Sequence, residues 1–321
     1  MDQEAPFVGL TFIDGTMTTA EVALAVVRKQ FLAMVSKHDG TLAGNDPEDL
    51  HDMRVATRRM RAATSLFRSF LSERVLACRE EFAWLGEALG HVRDLDVQLE
   101  HVRGWSEELP GGDPERLAPF IRVLRKRREA ARKEMVESLC SDRYNALVET
   151  FPTFLKEPPG SACDAPVTLV GPELIEKRMR SFNKASIALT PHDAPQRFHL
   201  ARIRAKKIRY AMEFLAPVYG KVAKDASLRI VAVQDLLGLH QDCVVAIALV
   251  DEVVESERFP SRTAFRLGML RQFLEDRAAS FRVRFPELLK ESHGKEWHAL
   301  REAMDARIPV PEEPAQPADA I

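Results

Sequence analysis

Aromatic residues make up only 7% of the 321 residues, and cysteine is scarcer still, with four in the whole chain. Cys78, Cys140, Cys163 and Cys243 stand far apart and form no CxxC, which excludes a zinc ribbon and a secreted disulfide framework and leaves buried free thiols in a reducing compartment. Charge of neither sign dominates. The 46 Lys and Arg nearly cancel the 48 Asp and Glu for a formal net charge of −2, so bulk electrostatics selects no partner and only the placement of charge can. Residues Met1 to Pro6 carry two acids and no basic stretch, unlike a secretory signal. The longest aliphatic run, Val244 to Val250, is bracketed by Asp242 and Asp251 and is too short to span a bilayer. No P-loop, GxSxG or GxGxxG is present. These absences point to a soluble cytoplasmic chain with no membrane partner and no cofactor.

What the chain does have is helical periodicity. Outside Phe7 to Ile13, apolar residues recur at three- and four-residue spacing nearly throughout, which predicts an all-α fold. Turn residues cluster at Gly40 to Pro47, at Pro110 to Pro114 and most densely from Glu157 to Pro172, where the main linker is expected. Within the sequence, His51-x-x-Arg54-Val-x-x-Arg58-Arg59-x-Arg61 matches His199-x-x-Arg202-Ile-x-x-Lys206-Lys207-x-Arg209 at an offset of 148 (199 minus 51). The same offset places Leu89-Gly90, Asp94 and Val97 on Leu237-Gly238, Asp242 and Val245. The organisation that follows is an extension at 1–17, a first helical bundle at 18–156, a linker at 157–171, a second bundle at 172–308 and a disordered Pro- and acid-rich tail at 309–321.

Projected on a helix, Arg54, Arg58, Arg61, Ser65 and Arg68 share a side with His51, while Met53, Ala56, Met60, Ala63, Phe67 and Leu71 lie roughly opposite. The second motif repeats the division, with His199, Arg202, Lys206 and Arg209 on one stripe and Ala201, Ile208, Ala211, Met212 and Leu215 across from it. A solvated helix face interleaves acids with bases, because unpaired like charges at i,i+4 cost a few tenths of a kcal/mol each. Here Asp52 is the sole acid from His51 to Arg68, and there is none from Arg197 to Met212. Such repulsion, repeated in both halves, calls for an anion to neutralise it. A third basic segment, Arg122 to Lys133, adds Arg125 and Arg128, and its counterpart carries Arg262, Arg266, Arg277 and Arg284; in both, a solvated face and a ligand face remain open.

Other chemistries fit less well. The pairs His38-Asp39, His51-Asp52 and His192-Asp193 resemble those of helical metal-dependent phosphohydrolases. However, a divalent cation wants carboxylates and neutral imidazoles. His51 instead shares its face with arginines, and His199 is followed by Leu200. No metal site is expected. Asp94 and Asp242 read as partners of an arginine in their own bundle, where helices approach closely at Gly90 and Gly238. Nucleic acid is the stronger rival, since Arg and Lys grip any phosphodiester, but readers of single strands add aromatic platforms. Near the stripes stand Tyr210, Phe198 and Phe67; Phe67 projects onto the apolar face, and the other two are as readily core as platform.

The motif at 51 to 61, followed by Leu89-Gly90-x-x-Arg93-Asp94-Leu95-Asp96-Val97, resembles the CHAD family, the conserved histidine α-helical domain. So does His199-x-x-Arg202-Ile-x-x-Lys206-Lys207-x-Arg209-Tyr210-x-x-Glu213, and the likeness runs from about Thr18 to Asp305. The resemblance implies two pseudo-symmetric four-helix bundles around a basic cavity or groove that binds inorganic polyphosphate without catalysis. It also implies association with polyphosphate granules and their proteins. The binding positions it carries over are His51, Arg54, Arg58, Arg61, His199, Arg202, Lys206 and Arg209, together with Arg59 and Lys207; the helix-face reading adds Arg125 and Arg128. Many relatives carry an N-terminal triphosphate tunnel domain with an ExExK signature. That signature is absent here, so triphosphate hydrolysis is not expected. Gln241 stands where the first half has Arg93, which puts the symmetry of that polar contact in doubt.

Overall fold

A computed structural model describes residues 13–110, 114–157 and 165–307, and the fold is all-α. The only β pairing among the described residues is a single bridge between Thr18 and Pro166. The tail at 309–321, most of the Phe7 to Ile13 run, Cys163 and the centre of the linker lie outside these residues. Through residue 157 the helices are α1 (Thr19–Val35), α2 (His38–Ala43), α3 (Pro47–Leu66), α4 (Glu73–Ala77), α5 (Arg79–Glu108), α6 (Ala118–Leu139) and α7 (Asp142–Phe154). Then follow α8 (Val167–Ser186), α9 (Pro195–Tyr219), α10 (Lys221–Ser256), α11 (Ser261–Glu291) and α12 (Lys295–Asp305).

Local chemistry sets the starts and stops. Thr18 caps α1 through a capping box, with the Glu21 side chain accepting from the Thr18 backbone N–H at 2.8 Å. Asp46 caps α3, and proline opens both α3 and α9, where its missing N–H costs nothing. Gly44 ends α2 at φ +68°, and a Cβ there would fall 2.3 Å from Arg132 Nη2. Arg132 needs that space, because its guanidinium donates to the Leu42 carbonyl at 2.8 Å. Gly220, at φ +72°, breaks the chain between α9 and α10.

Helix boundaries follow the repeat. α1 and α8 start at Thr19 and Val167, α3 and α9 at Pro47 and Pro195, and α5 and α10 end at Glu108 and Ser256, each pair 148 apart. Packing runs α1–α3–α5–α6 on one side and α8–α9–α10–α11 on the other, with α3 against α9 joining them. The linker is shorter than the proline and glycine content suggested. α8 begins at Val167, so Gly171 and Pro172 lie within it. Gly171 serves a close approach, since a Cβ there would meet the Tyr219 hydroxyl at 2.6 Å. The first half also forms the short α2, which has no helical counterpart in the second, while α4 and α5 together occupy the positions of the single helix α10.

The predicted apolar faces are core: Met53, Met60, Ala63, Phe67, Ala201, Ile208, Ala211, Met212 and Leu215 are all buried. Cys78 and Cys243 are buried as expected and their thiols are pushed up to about 11 by burial, whereas Cys140 is exposed at the end of α6. α10 as a whole is long and apolar enough to cross a membrane, which its one aliphatic run did not reveal. Its buried residues pack on α9, α11 and α12, while Leu228, Leu239, Val245 and Val254 stay exposed.

One arginine of the third basic pattern is structural. Arg266, only 2% exposed, donates to the Pro110 carbonyl at 2.5 Å and to those of Ser106 and Leu109 at the C-terminus of α5. It supplies the donors that the last turn of α5 lacks. Arg277 is likewise tied to Glu108 at 2.6 Å. Replacing Arg266 by leucine strands buried carbonyls, and the expected loss is about 3 kcal/mol of unfolding free energy. Urea unfolding checks this; a loss under about 1 kcal/mol would mean that water serves those carbonyls equally well.

Candidate functional site

The contact between α3 and α9 faces their cationic stripes into one cleft. A central cavity of about 400 Å³ is lined by His51, Arg54 and Arg58 from α3 and by His199, Arg202 and Lys206 from α9. α5 contributes Arg93 and Asp94, and α10 contributes Gln241 and Asp242. Beside it lies a larger cavity of about 850 Å³, which shares Arg58 and Lys206 and adds Arg61, Lys207, Arg79 from α5 and Arg178 from α8. The shared residues make the two cavities one continuous basic groove.

Arg54 reaches across to Asp94 at 2.9 Å and passes Gly90, with its Nε 3.5 Å from where a Cβ would be, an ordinary contact distance. Gly238 faces Arg202 Nε in the same way at 4.0 Å. The two expected close-approach glycines thus each lie beside the arginine of the facing helix. Arg58 donates from Nε to the Tyr210 hydroxyl at 2.8 Å, which fixes it across the α3–α9 contact. Phe67 and Phe198 are core and no aromatic lines the central cavity, whereas Tyr210 and Phe214, both largely buried, line the larger one. His199 Nδ1 donates to Gln241 Oε1 at 2.8 Å, a contact that Arg93 in the equivalent place cannot offer His51. With Nδ1 carrying the proton, the neutral ring has a bare Nε2, and it becomes a second donor only when protonated.

Positive charge in the cleft is under-compensated. The Nε groups of Arg54, Arg93 and Arg202 are buried without a hydrogen-bond partner. Burial, with neighbouring arginines adding to it, holds the Arg54 and Arg202 guanidinium pKa below the usual value. Burial and then the fields of Arg202, Arg58 and Arg54 push the Lys206 ammonium down to about 7. Asp242 is raised, first by burial, even though His101, Arg202 and Lys206 favour its charged form.

The remaining expected site residues are placed elsewhere. Arg59 and Arg209 both turn to Glu213, with Arg59 also donating to Gln30 Oε1 at 3.2 Å, so neither lines the groove. Arg128 donates to Asp96 at 2.6 Å and Arg125 is exposed on α6; both are outside the two cavities. For Arg59 and Arg128, a stripe on a helical wheel gave the face but not the acid on the neighbouring helix; Arg209 is held by Glu213 one turn on in its own helix, and Arg125 points to solvent. Sequence reasoning in turn missed Arg79 and Arg178 as groove residues. Arg178 falls outside both motifs, and its position in the first half is Gln30, so the repeat gave no signal for it. Among the described residues, no group of three His, Cys, Asp or Glu is placed to hold a metal ion.

The profile of the CHAD domain matches residues 25–251, most of the chain. The chain belongs to the CHAD family. Its fold is similar to the crystal structure of the CHAD domain from the plant Ricinus communis, with a TM-score of 0.72, 27% identity, and coverage of 94% of this chain and 97% of that one. PptA from Streptomyces chartreusis is similar in fold, with a TM-score of 0.71 at 21% identity over 85% of this chain and 99% of the other. Among curated proteins, the uncharacterised protein Rv2226 of Mycobacterium tuberculosis is 27% identical over 266 residues, 80% of this chain and 49% of that protein. The CHAD chain described here therefore spans about half the length of the curated relatives it matches.

Lys206 also gives the site a signature in stability. Its folded pKa, about 7, is depressed below the unfolded value near 10.4, so the unfolded chain binds the extra proton between those limits. Its contribution to stability accordingly rises with pH from about 7 to about 10. In Lys206→Met that rise should vanish and stability at neutral pH should increase. Urea midpoints at pH 7 and 9.5 for both proteins test this, and an identical pH dependence in the two would contradict the burial of a strained ammonium.

Proposed function

We propose that this CHAD protein is a non-catalytic binding module for inorganic polyphosphate, held in the groove between α3 and α9. The observation that carries the reading is the central cleft, where Arg54, Arg58, Arg202 and Lys206 converge while the buried Nε donors of Arg54 and Arg202 lack partners. Such donors are costly unless an acceptor arrives. A linear chain of phosphates offers repeated acceptors and charge, and it asks for no stacking surface. In the central cleft a nucleic acid would leave its bases without a platform. Localisation at polyphosphate granules in the cytoplasm belongs to the same proposal, and fluorescence of a tagged chain in granule-forming cells tests it.

Direct binding of long-chain polyphosphate by calorimetry is the primary test, with Mg²⁺ present and chain length checked afterwards. Binding without shortening is expected; shortening would make the protein a phosphohydrolase. Arg58→Glu with Arg61→Glu should weaken binding at least ~100-fold, since each lost charge-assisted contact is worth roughly 1.5–3 kcal/mol. Far-UV circular dichroism should be unchanged, because Arg61 is exposed and Arg58 faces the groove. If about six phosphates are neutralised, log K should fall against log salt with a slope near −4. A slope near zero would remove the groove as the site.

The pH dependence of binding has a definite sign. A polyanion reverses the field that depresses Lys206, so binding takes up protons. Affinity should therefore fall as pH rises above about 7. Lys206→Met should flatten that profile; an unaltered profile in the variant would assign proton uptake to other groups.

A further inference from the structure

The two flanks of the α3–α9 pair differ although the motifs on the two helices match. Arg61 and Arg209 occupy the same place in the repeat, 148 apart, yet Arg61 is exposed along the larger cavity while Arg209 donates to Glu213 Oε1 at 2.5 Å. Two exchanges at equivalent positions account for this. Glu213 stands 148 residues after Ser65, and Arg178 stands 148 after Gln30. On one flank, Ser65 lines the cavity and its carbonyl accepts from Arg178 at 3.0 Å, beside Arg61, Lys207 and Arg79. On the other, Gln30 accepts from Arg59, and the Glu213 carboxylate takes Arg59 on one oxygen and Arg209 on the other.

The electrostatic consequence is large. Arg61, Arg178 and Lys207 have no acid at Ser65, and Glu80, exposed, is the sole carboxylate lining that cavity. Among the described residues, Arg61, Arg79 and Lys207 enter no ion pair, and Arg79, Arg178 and Arg204 act on Lys207 as like charges. The other flank already holds its anion. To enter there, a phosphate would have to displace a half-buried carboxylate held by two guanidiniums, or face its repulsion.

We propose that the cavity beside Arg61, Arg178 and Lys207 is a second phosphate subsite, which takes a polyphosphate chain as it leaves the central cleft past Arg58 and Lys206. Glu213 acts as a built-in substitute for that phosphate on the opposite flank, so the bound chain leaves the cleft on one side only. This inference rests on the polyphosphate reading of the central cleft and adds the direction of the chain to it.

The comparison of Arg61→Gln with Arg209→Gln isolates the direction, because the two arginines match in type and motif position. Affinity for long-chain inorganic polyphosphate is measured for both, with Ser65→Glu as a third variant that gives the open flank the acid of the closed one. Arg61→Gln and Ser65→Glu should each lose tenfold or more, and Arg209→Gln should stay within twofold of wild type. Thermal melts confirm that all three fold. Equal losses at Arg61 and Arg209, or no loss at Arg61, would overturn the one-sided path while leaving polyphosphate binding in place. Wild-type protein that binds no polyphosphate would remove the underlying reading together with the path.

Discussion

Two helices that share an apolar core also share a cationic front, and the rest of the molecule is arranged around that conflict. The apolar backs of α3 and α9 are buried in their own halves, which leaves His51, Arg54, Arg58, His199, Arg202 and Lys206 facing one cleft. Like charges brought together out of water repel more strongly than they would at the surface. Asp94 and Asp242 offset part of this, but burial raises the Asp242 carboxyl and so weakens it as a counter-charge. The outcome is a site held below its optimum in stability, where a lysine is driven down to about 7 and three arginine Nε groups lack partners.

Such a site persists only if the structure outside it is over-determined. The α1–α8 bridge, the caps of α1 and α3, and Arg266 sealing the end of α5 provide this, none of them drawing on the groove. Arg58 is fixed by Tyr210, and Arg54 by Asp94. The guanidiniums are thereby set in place before any ligand arrives, which lowers the ordering cost of binding.

Much of this was legible in the sequence because it depends on period. The 3.6-residue spacing separated Met53, Met60 and Ile208 from Arg54, Arg58 and Arg202, and the offset of 148 paired the helices that form the cleft. What period cannot carry is the identity of the group on the facing helix. Arg59 has the right type and the right motif, and Glu213 on α9 claims it; Arg128 goes to Asp96 on α5 for the same reason, whereas Arg209 meets Glu213 within its own helix at i,i+4. Arg178 reaches the groove from α8 with no motif to announce it. Proline and glycine misled at Gly171 and Pro172, where a close contact with Tyr219 rather than a turn explains the glycine.

If an anion is what the cleft lacks, supplying one should stabilise the folded chain, because a ligand that binds only the native state raises the unfolding free energy by mass action. The most direct measurement is the melting temperature at neutral pH and low salt as long-chain polyphosphate is added. The account predicts a rise that grows with ligand concentration and collapses in high salt. A melting temperature that does not move, with polyphosphate in large excess, would contradict it.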